Sequence, residues 1–194
     1  MSEGTRRIVR RAAVAAYVVA AAGLAAAVTI ILFFTGGQPW GTVNDVALLV
    51  MTAAIAPLML AFWELGGLTP APLARVAQVS GWIAVGVWCV TQALFVASVL
   101  DFDYERPATG GLAVESAALI VIGLWIAGAN LLAGSWLNSI RWFGVAAGLG
   151  FALLPIGMLL GGLNHPLTYA GGVGSSIVLP VWAFLMGRHL NEIS

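Results

Sequence analysis

Lysine is absent from this chain, and cysteine occurs once. Charge of either sign is scarce: 8% of residues are Asp, Glu, Lys or Arg, against about 25% in a soluble domain. So few charges cannot build a water-facing surface of ordinary chemistry. The formal net charge is zero, which gives no electrostatic footprint for nucleic acid, and no nucleic-acid partner is expected. Cys89 has no second cysteine to pair with, and no Cys/His spacing suits a structural metal. No cofactor is expected. Catalytic motifs are missing too. There is no His-Glu-x-x-His, and Gly134-Ser135 and Gly174-Ser175-Ser176 lack the surroundings of a nucleophile elbow. Gly171-Gly172-Val173-Gly174 is followed by no lysine, so it is no phosphate loop. These absences lead to the expectation that the chain is not an enzyme.

What the chain has in quantity is apolar length. Hydrophobic residues make up 61% of it, and they fall into six charge-poor stretches, 12–34, 42–63, 74–100, 112–132, 140–160 and 168–187. A helix needs roughly 20 apolar residues to cross a bilayer, and each stretch meets that length. The breaks between them carry turn chemistry, such as Gly36-Gly37-Gln38-Pro39, Gly66-Gly67 with Pro70, and Gly161-Gly162 ahead of Pro166. The expected fold is all-α: a compact bundle of six transmembrane helices forming a single membrane domain over 1–194. The third stretch exceeds what a bilayer requires, so it should tilt or project.

The arginines orient the bundle. Arg6, Arg7, Arg10 and Arg11 stand directly before the first span. With an even number of spans, Arg75, Arg141 and Arg188 join them on one face, leaving Arg106 on the other in the acidic loop Asp101-Phe102-Asp103-Tyr104-Glu105. Cytoplasmic loops carry the excess of Arg and Lys, so both termini are expected in the cytoplasm. Thr5-Arg6-Arg7 opens like a twin-arginine signal, but the apolar run that follows is longer than the roughly 7–15 residues of a cleaved signal. It reads as a membrane anchor. Basic residues that are all Arg, with abundant Ala, Gly and Val, point to a GC-rich bacterial genome. The expected location is the bacterial cytoplasmic (inner) membrane.

Close helix contact has its material. Gly144 with Gly148, Gly157 with Gly161, and Gly123 with Ala127 are pairs of small residues four apart, which let backbones approach in lipid. Pro57, Pro155 and Pro180 fall inside spans and should bend them. Such bends either leave a cavity or are harmless. A faint echo relates the Gly-Gly turn and proline before the second span to those before the sixth.

Polar side chains within lipid are the functional candidates, because each is costly to bury unpaired. Asp45 and Asn44 lie near the start of the second span and Glu115 near the start of the fourth, both entered from the outer side. Gln38, Trp40, Asn164 and His165 occupy the outer loops above them. One reading is an outward-facing polar pocket of Asp45, Glu115, Asn44, Gln38, Trp40, Asn164 and His165, suited to a cation, a polar headgroup or a small amine. The other is local. Thr42-Val43-Asn44-Asp45 has capping-box spacing, in which Thr42 accepts a backbone N–H and Asp45 reaches back. A carboxylate in a first turn also favours the helix dipole, and a salt bridge, to Arg106 or to a protonated His165, is a third account. Either way, Asp45 and Glu115 should be paired, wet or protonated. Gln92 and Asn130, deeper in lipid, should bond across helices. Trp88 and Trp125 should fill the bundle, and most of the tryptophans, among them Trp40, Trp63, Trp136 and Trp142, should sit at the interfaces.

Gly37-Gln38-Pro39-Trp40-Gly41-Thr42-Val43-Asn44-Asp45 resembles an outer loop of uncharacterised bacterial polytopic membrane proteins of similar size. The resemblance implies a bacterial inner-membrane protein and supplies no activity. The expected role is binding a small-molecule or lipid ligand from the outer face, or serving as a membrane subunit beside a partner protein. The alternative is a small secondary transporter using Asp45 and Glu115.

Overall fold

The computed structural model describes residues 1–66, 72–100, 110–137 and 140–194. The acidic loop, its Arg106 and the polar Asn138 lie outside the described residues. The described chain is all-α, with six helices long and apolar enough to cross a membrane. They are α1 (Glu3–Gly36), α2 (Trp40–Leu65), α3 (Pro72–Val96), α4 (Gly110–Leu132) and α5 (Ile140–Gly161), with the sixth span built from two helices. These are α6 (Pro166–Val173) and α7 (Leu179–Ile193), joined through a π-helical turn, Gly174–Val178.

Each span packs on its neighbours in sequence, and the last returns to the first, so the six close into a ring. α1 contributes an alanine stripe to this ring. Val9, Ala12, Ala16, Val19 and Gly23 are buried along it at helical spacing. Small side chains there let α2 and α7 approach closely. Gly23 faces Pro180, and the Tyr17 ring packs edge-on against Phe184, so α1 and α7 run antiparallel. Both termini therefore share one end of the bundle, called the terminal end below. All seven described arginines stand at that end.

The glycine pairs read from the sequence meet one another. A Cβ on Gly148 would strike the backbone of Ala127 and Gly123, and one on Gly123 would strike that of Ala152 and Gly148. This seam joins α4 to α5. The opposite face of α5 repeats the device, with Gly150 against Gly174 and Gly157 against Thr168. Close backbone approach replaces hydrophobic drive as the source of contact in lipid.

The helix ends differ from the hydropathy boundaries in ways with local causes. α1 begins nearer the terminus because the Ser2 hydroxyl caps it, accepting from Thr5 N–H at 3.1 Å. α3 stops at Val96 rather than continuing through residue 100. Ser98 takes the left-handed region at φ 54°, and the N–H groups of Val99 and Leu100 fold back onto Leu94 O. That turn replaces the expected overhang. Two of the Gly-Gly turns share a geometry: Gly37 and Gly162 each take φ of 71°, ahead of a proline (Pro39, Pro166) at the start of the next span. The π turn sits directly ahead of Pro180, whose ring would crowd the carbonyl four residues back in a regular helix.

The terminal half of the ring is filled. Phe62 lies at its centre, with ring centroids 5.8 Å from Trp125, 5.4 Å from Trp136 and 6.5 Å from Trp182. Two of the three indole N–H groups find amide partners: Trp125 donates to Gln78 and Trp182 to Asn130, each at 3.0 Å, while that of Trp136 is buried without one. Asn130 thus bridges α4 and α7 as expected of a polar residue in lipid.

Candidate functional site

The half of the ring away from the termini is hollow. A cavity of about 980 Å³ opens there, and all six spans line it. Its rim includes the exposed residues Gln38, Thr42, Leu163 and Asn164. Its floor is the buried trio Met51, Trp88 and Phe151. The Trp88 and Phe151 rings meet edge-on at 5.3 Å and separate the cavity from the filled half.

Glu115 sits in the second turn of α4, 4% exposed, on the cavity wall. Two residues one turn apart on α3 hold it. Trp88 Nε1 donates to its Oε1 at 3.0 Å, and Gln92 Nε2 donates to the same oxygen at 2.6 Å. The spacing 88 and 92 puts both donors on one helix face. This arrangement leaves the other carboxyl oxygen, Glu115 Oε2, buried with no hydrogen-bond partner, and leaves Gln92 Oε1 in the same state. Sequence reading singled out Glu115 but not this pairing. The i, i+4 spacing of Trp88 and Gln92 was the signal for it.

Asp45 lines the same cavity from α2, half-buried and within electrostatic reach of Glu115. Its neighbour Asn44 is buried and accepts weakly from the Thr29 hydroxyl of α1 at 3.4 Å. The capping account of Asp45 fails. α2 starts at Trp40, so Thr42 is already inside the helix and Asp45 stands in its second turn. The cap is supplied instead by Gln38, whose Oε1 accepts from both the Thr42 N–H and the Thr42 hydroxyl at 3.3 Å.

Of the seven candidate residues, the structure places five on the cavity: Asp45, Glu115, Asn44, Gln38 and Asn164. Trp40 and His165 are not on its wall. Trp40 is exposed at the first position of α2, as an interfacial tryptophan would be. His165 caps α6, its Nδ1 accepting from Leu167 N–H at 3.3 Å, and its ring packs on Gly161. The rim residue Asn164 accepts from the Tyr169 hydroxyl at 3.3 Å. Three wall features were not anticipated: the buried Thr168, and Ser175 and Ser176 in the π turn. π turns inside helices are frequent at functional sites.

The charge balance of the cavity is one-sided. Two carboxyl groups line it, and among the described residues no arginine or histidine does. The ion pairs found, Arg7–Glu3 and Arg188–Glu192, are exposed and lie at the terminal end. Among the described residues no cluster of three potential metal ligands occurs. A hollow with apolar walls, two carboxyl groups and an unmet carboxyl oxygen is chemically suited to a positively charged or N–H-rich guest.

No family model, no curated protein and no solved structure matches the chain.

Proposed function

We propose that this chain is a bacterial cytoplasmic-membrane protein, with both termini in the cytoplasm, that binds a small or lipidic ligand from the outer face and performs no chemistry on it. The observation that carries the reading is the shared cavity: Asp45 and Glu115 line one hollow of about 980 Å³ that opens away from the termini. Placing seven described arginines at the terminal end agrees with a cytoplasmic assignment for that end. A pure subunit role would need none of this hollow.

The test is ligand-induced stabilisation of the purified protein across a panel of small amines, inorganic cations and polar headgroups. A ligand at about a hundred times its Kd should stabilise the protein by roughly 2.7 kcal/mol. A cationic member of the panel should do so. The effect should vanish in Asp45→Asn and Glu115→Gln variants that keep the unliganded melting temperature. Stabilisation that persists in both variants would place the ligand elsewhere.

A second reading, a small secondary transporter using Asp45 and Glu115, has one observation in its favour. A π turn widens the sixth span where Ser175 and Ser176 line the cavity, and such turns inside helices are frequent at functional sites. Uptake of the stabilising ligand into proteoliposomes, lost in Glu115→Gln, would select it. Binding without uptake would select the first reading.

A further inference from the structure

A second hollow lies outside the ring. It is an apolar groove of about 580 Å³ between α3 and α4, with Val90, Leu94, Gly110, Gly111 and Val114 among its walls. Its one hydroxyl, on Thr91, is already donated to Val87 O at 3.0 Å. Leu100 borders this groove and the central cavity alike. The seam between them is thin at that point. Gly111 presents no side chain, and the Leu100 methyls lie so near that a Cβ there would come within 2.9 Å. Glu115 stands one helical turn beyond Gly111 on the same face of α4. At this point a single leucine stands between the apolar groove and the cavity that holds the buried carboxyl.

The polar side of the seam specifies the head of a guest. On the cavity wall Glu115 has a buried acceptor without a donor, Oε2, and Asp45 lines the same wall; Gln92 Oε1, also without a donor, is on the wall of neither hollow. A primary ammonium carries three N–H donors and a positive charge, which suit an unmet carboxyl oxygen with a second carboxyl group on the same wall. A phosphate would instead enter a hollow with two carboxyl groups and no described basic residue on its wall.

We propose that the cavity takes a single-chain amphiphile with a primary amine head, the head at Glu115 on the wall it shares with Asp45 and the alkyl chain passing Leu100 into the α3–α4 groove. The guest would thus enter sideways from the outer leaflet. This rests on the reading of the cavity as a binding site.

The experiment uses the full chain in phosphatidylcholine nanodiscs with dodecylamine bearing a diazirine near its chain end, and radiolabelled butylamine as the chainless probe. Irradiation should label Val90, Leu94 or Val114, and unlabelled dodecylamine should compete. Glu115→Gln should lower labelling about tenfold or more, as loss of charged hydrogen bonds does. Leu100→Trp should abolish groove labelling while butylamine still binds. Should Glu115→Gln fail to fold, Asp45→Asn and Leu100→Trp carry the test. Labelling spread evenly over lipid-facing positions such as Leu124 and Leu149 overturns the proposal. So does competition by phosphatidylethanolamine equal to that by dodecylamine. Butylamine binding without groove labelling overturns the amphiphile and leaves the cavity reading intact. Absence of both overturns the two together.

Discussion

Gln92 and Trp88 converge on one oxygen of Glu115, at 2.6 Å and 3.0 Å, and tie α3 to α4 beside the cavity. A carboxyl held this way is oriented, with its second oxygen turned to no protein donor. Gln92→Leu should destabilise the protein by about 1–3 kcal/mol, because it removes a donor from a buried acceptor. Trp88→Phe keeps a ring beside Phe151 and removes only the N–H, so it should cost a similar amount. Unfolding in mild detergent measures both. The double variant should cost more than the sum, since each single variant leaves the oxygen one donor and only the double leaves it none. Two neutral single variants would show that Glu115 is held by something else.

The α4–α5 seam predicts a sharp contrast between two glycines. A side chain on Gly148 meets backbone on α4, whereas a Cβ on Gly128 meets nothing within 4 Å. Gly148→Val should destabilise by about 1–3 kcal/mol or more through overpacking. Gly128→Ala should be neutral or gain up to about 1 kcal/mol of helix propensity. Equal effects at the two positions would mean that α4 and α5 do not meet along this seam.

Asn130 should matter to the filled half rather than to the site. Its Oδ1 accepts from Trp182 while its Nδ2 donates to Ile126 O at 2.8 Å. Asn130→Leu should cost about 0.6–1.7 kcal/mol, the range for interhelical hydrogen bonds in lipid, and leave any ligand response unchanged. A lost ligand response at unchanged stability would tie this residue to the cavity.

Orientation has its own test. Reporter fusions after Ser194 and within residues 67–71 should both report cytoplasm, as the arginine distribution requires. An extracytoplasmic signal from either would reverse or break the proposed topology.

The count of spans was legible because charge is so expensive in lipid that its absence marks each helix. The exact helix ends were not. They depend on caps such as Ser2 and Gln38 and on the turn at Ser98, which act in water and leave hydropathy unchanged. Five of the seven candidate site residues reached the cavity because parity puts the starts of α2, α4 and α6 at one end, and carboxyl groups there are rare. His165 and Trp40 were drawn in by loop position alone, which carries no direction. The partners of Glu115 were not read because the rotation of α3 about its own axis is set by packing. The π turn has only an indirect trace, the proline at 180 following two serines at 175 and 176.

The central claim is a cavity open to the outer face and lined by two carboxyl groups. The most direct measurement needs no ligand. In a Cys89→Ala background, Ser116→Cys places a thiol on the buried cavity wall, and Leu124→Cys places one toward lipid. Membrane-impermeant methanethiosulfonates, one cationic and one anionic, are then applied to whole cells from outside. The account predicts that the Ser116→Cys thiol reacts, faster with the cationic reagent, and that this preference shrinks in Asp45→Asn. It predicts no reaction at position 124. Reaction at position 116 only from the cytoplasmic side, or from neither, would contradict the account.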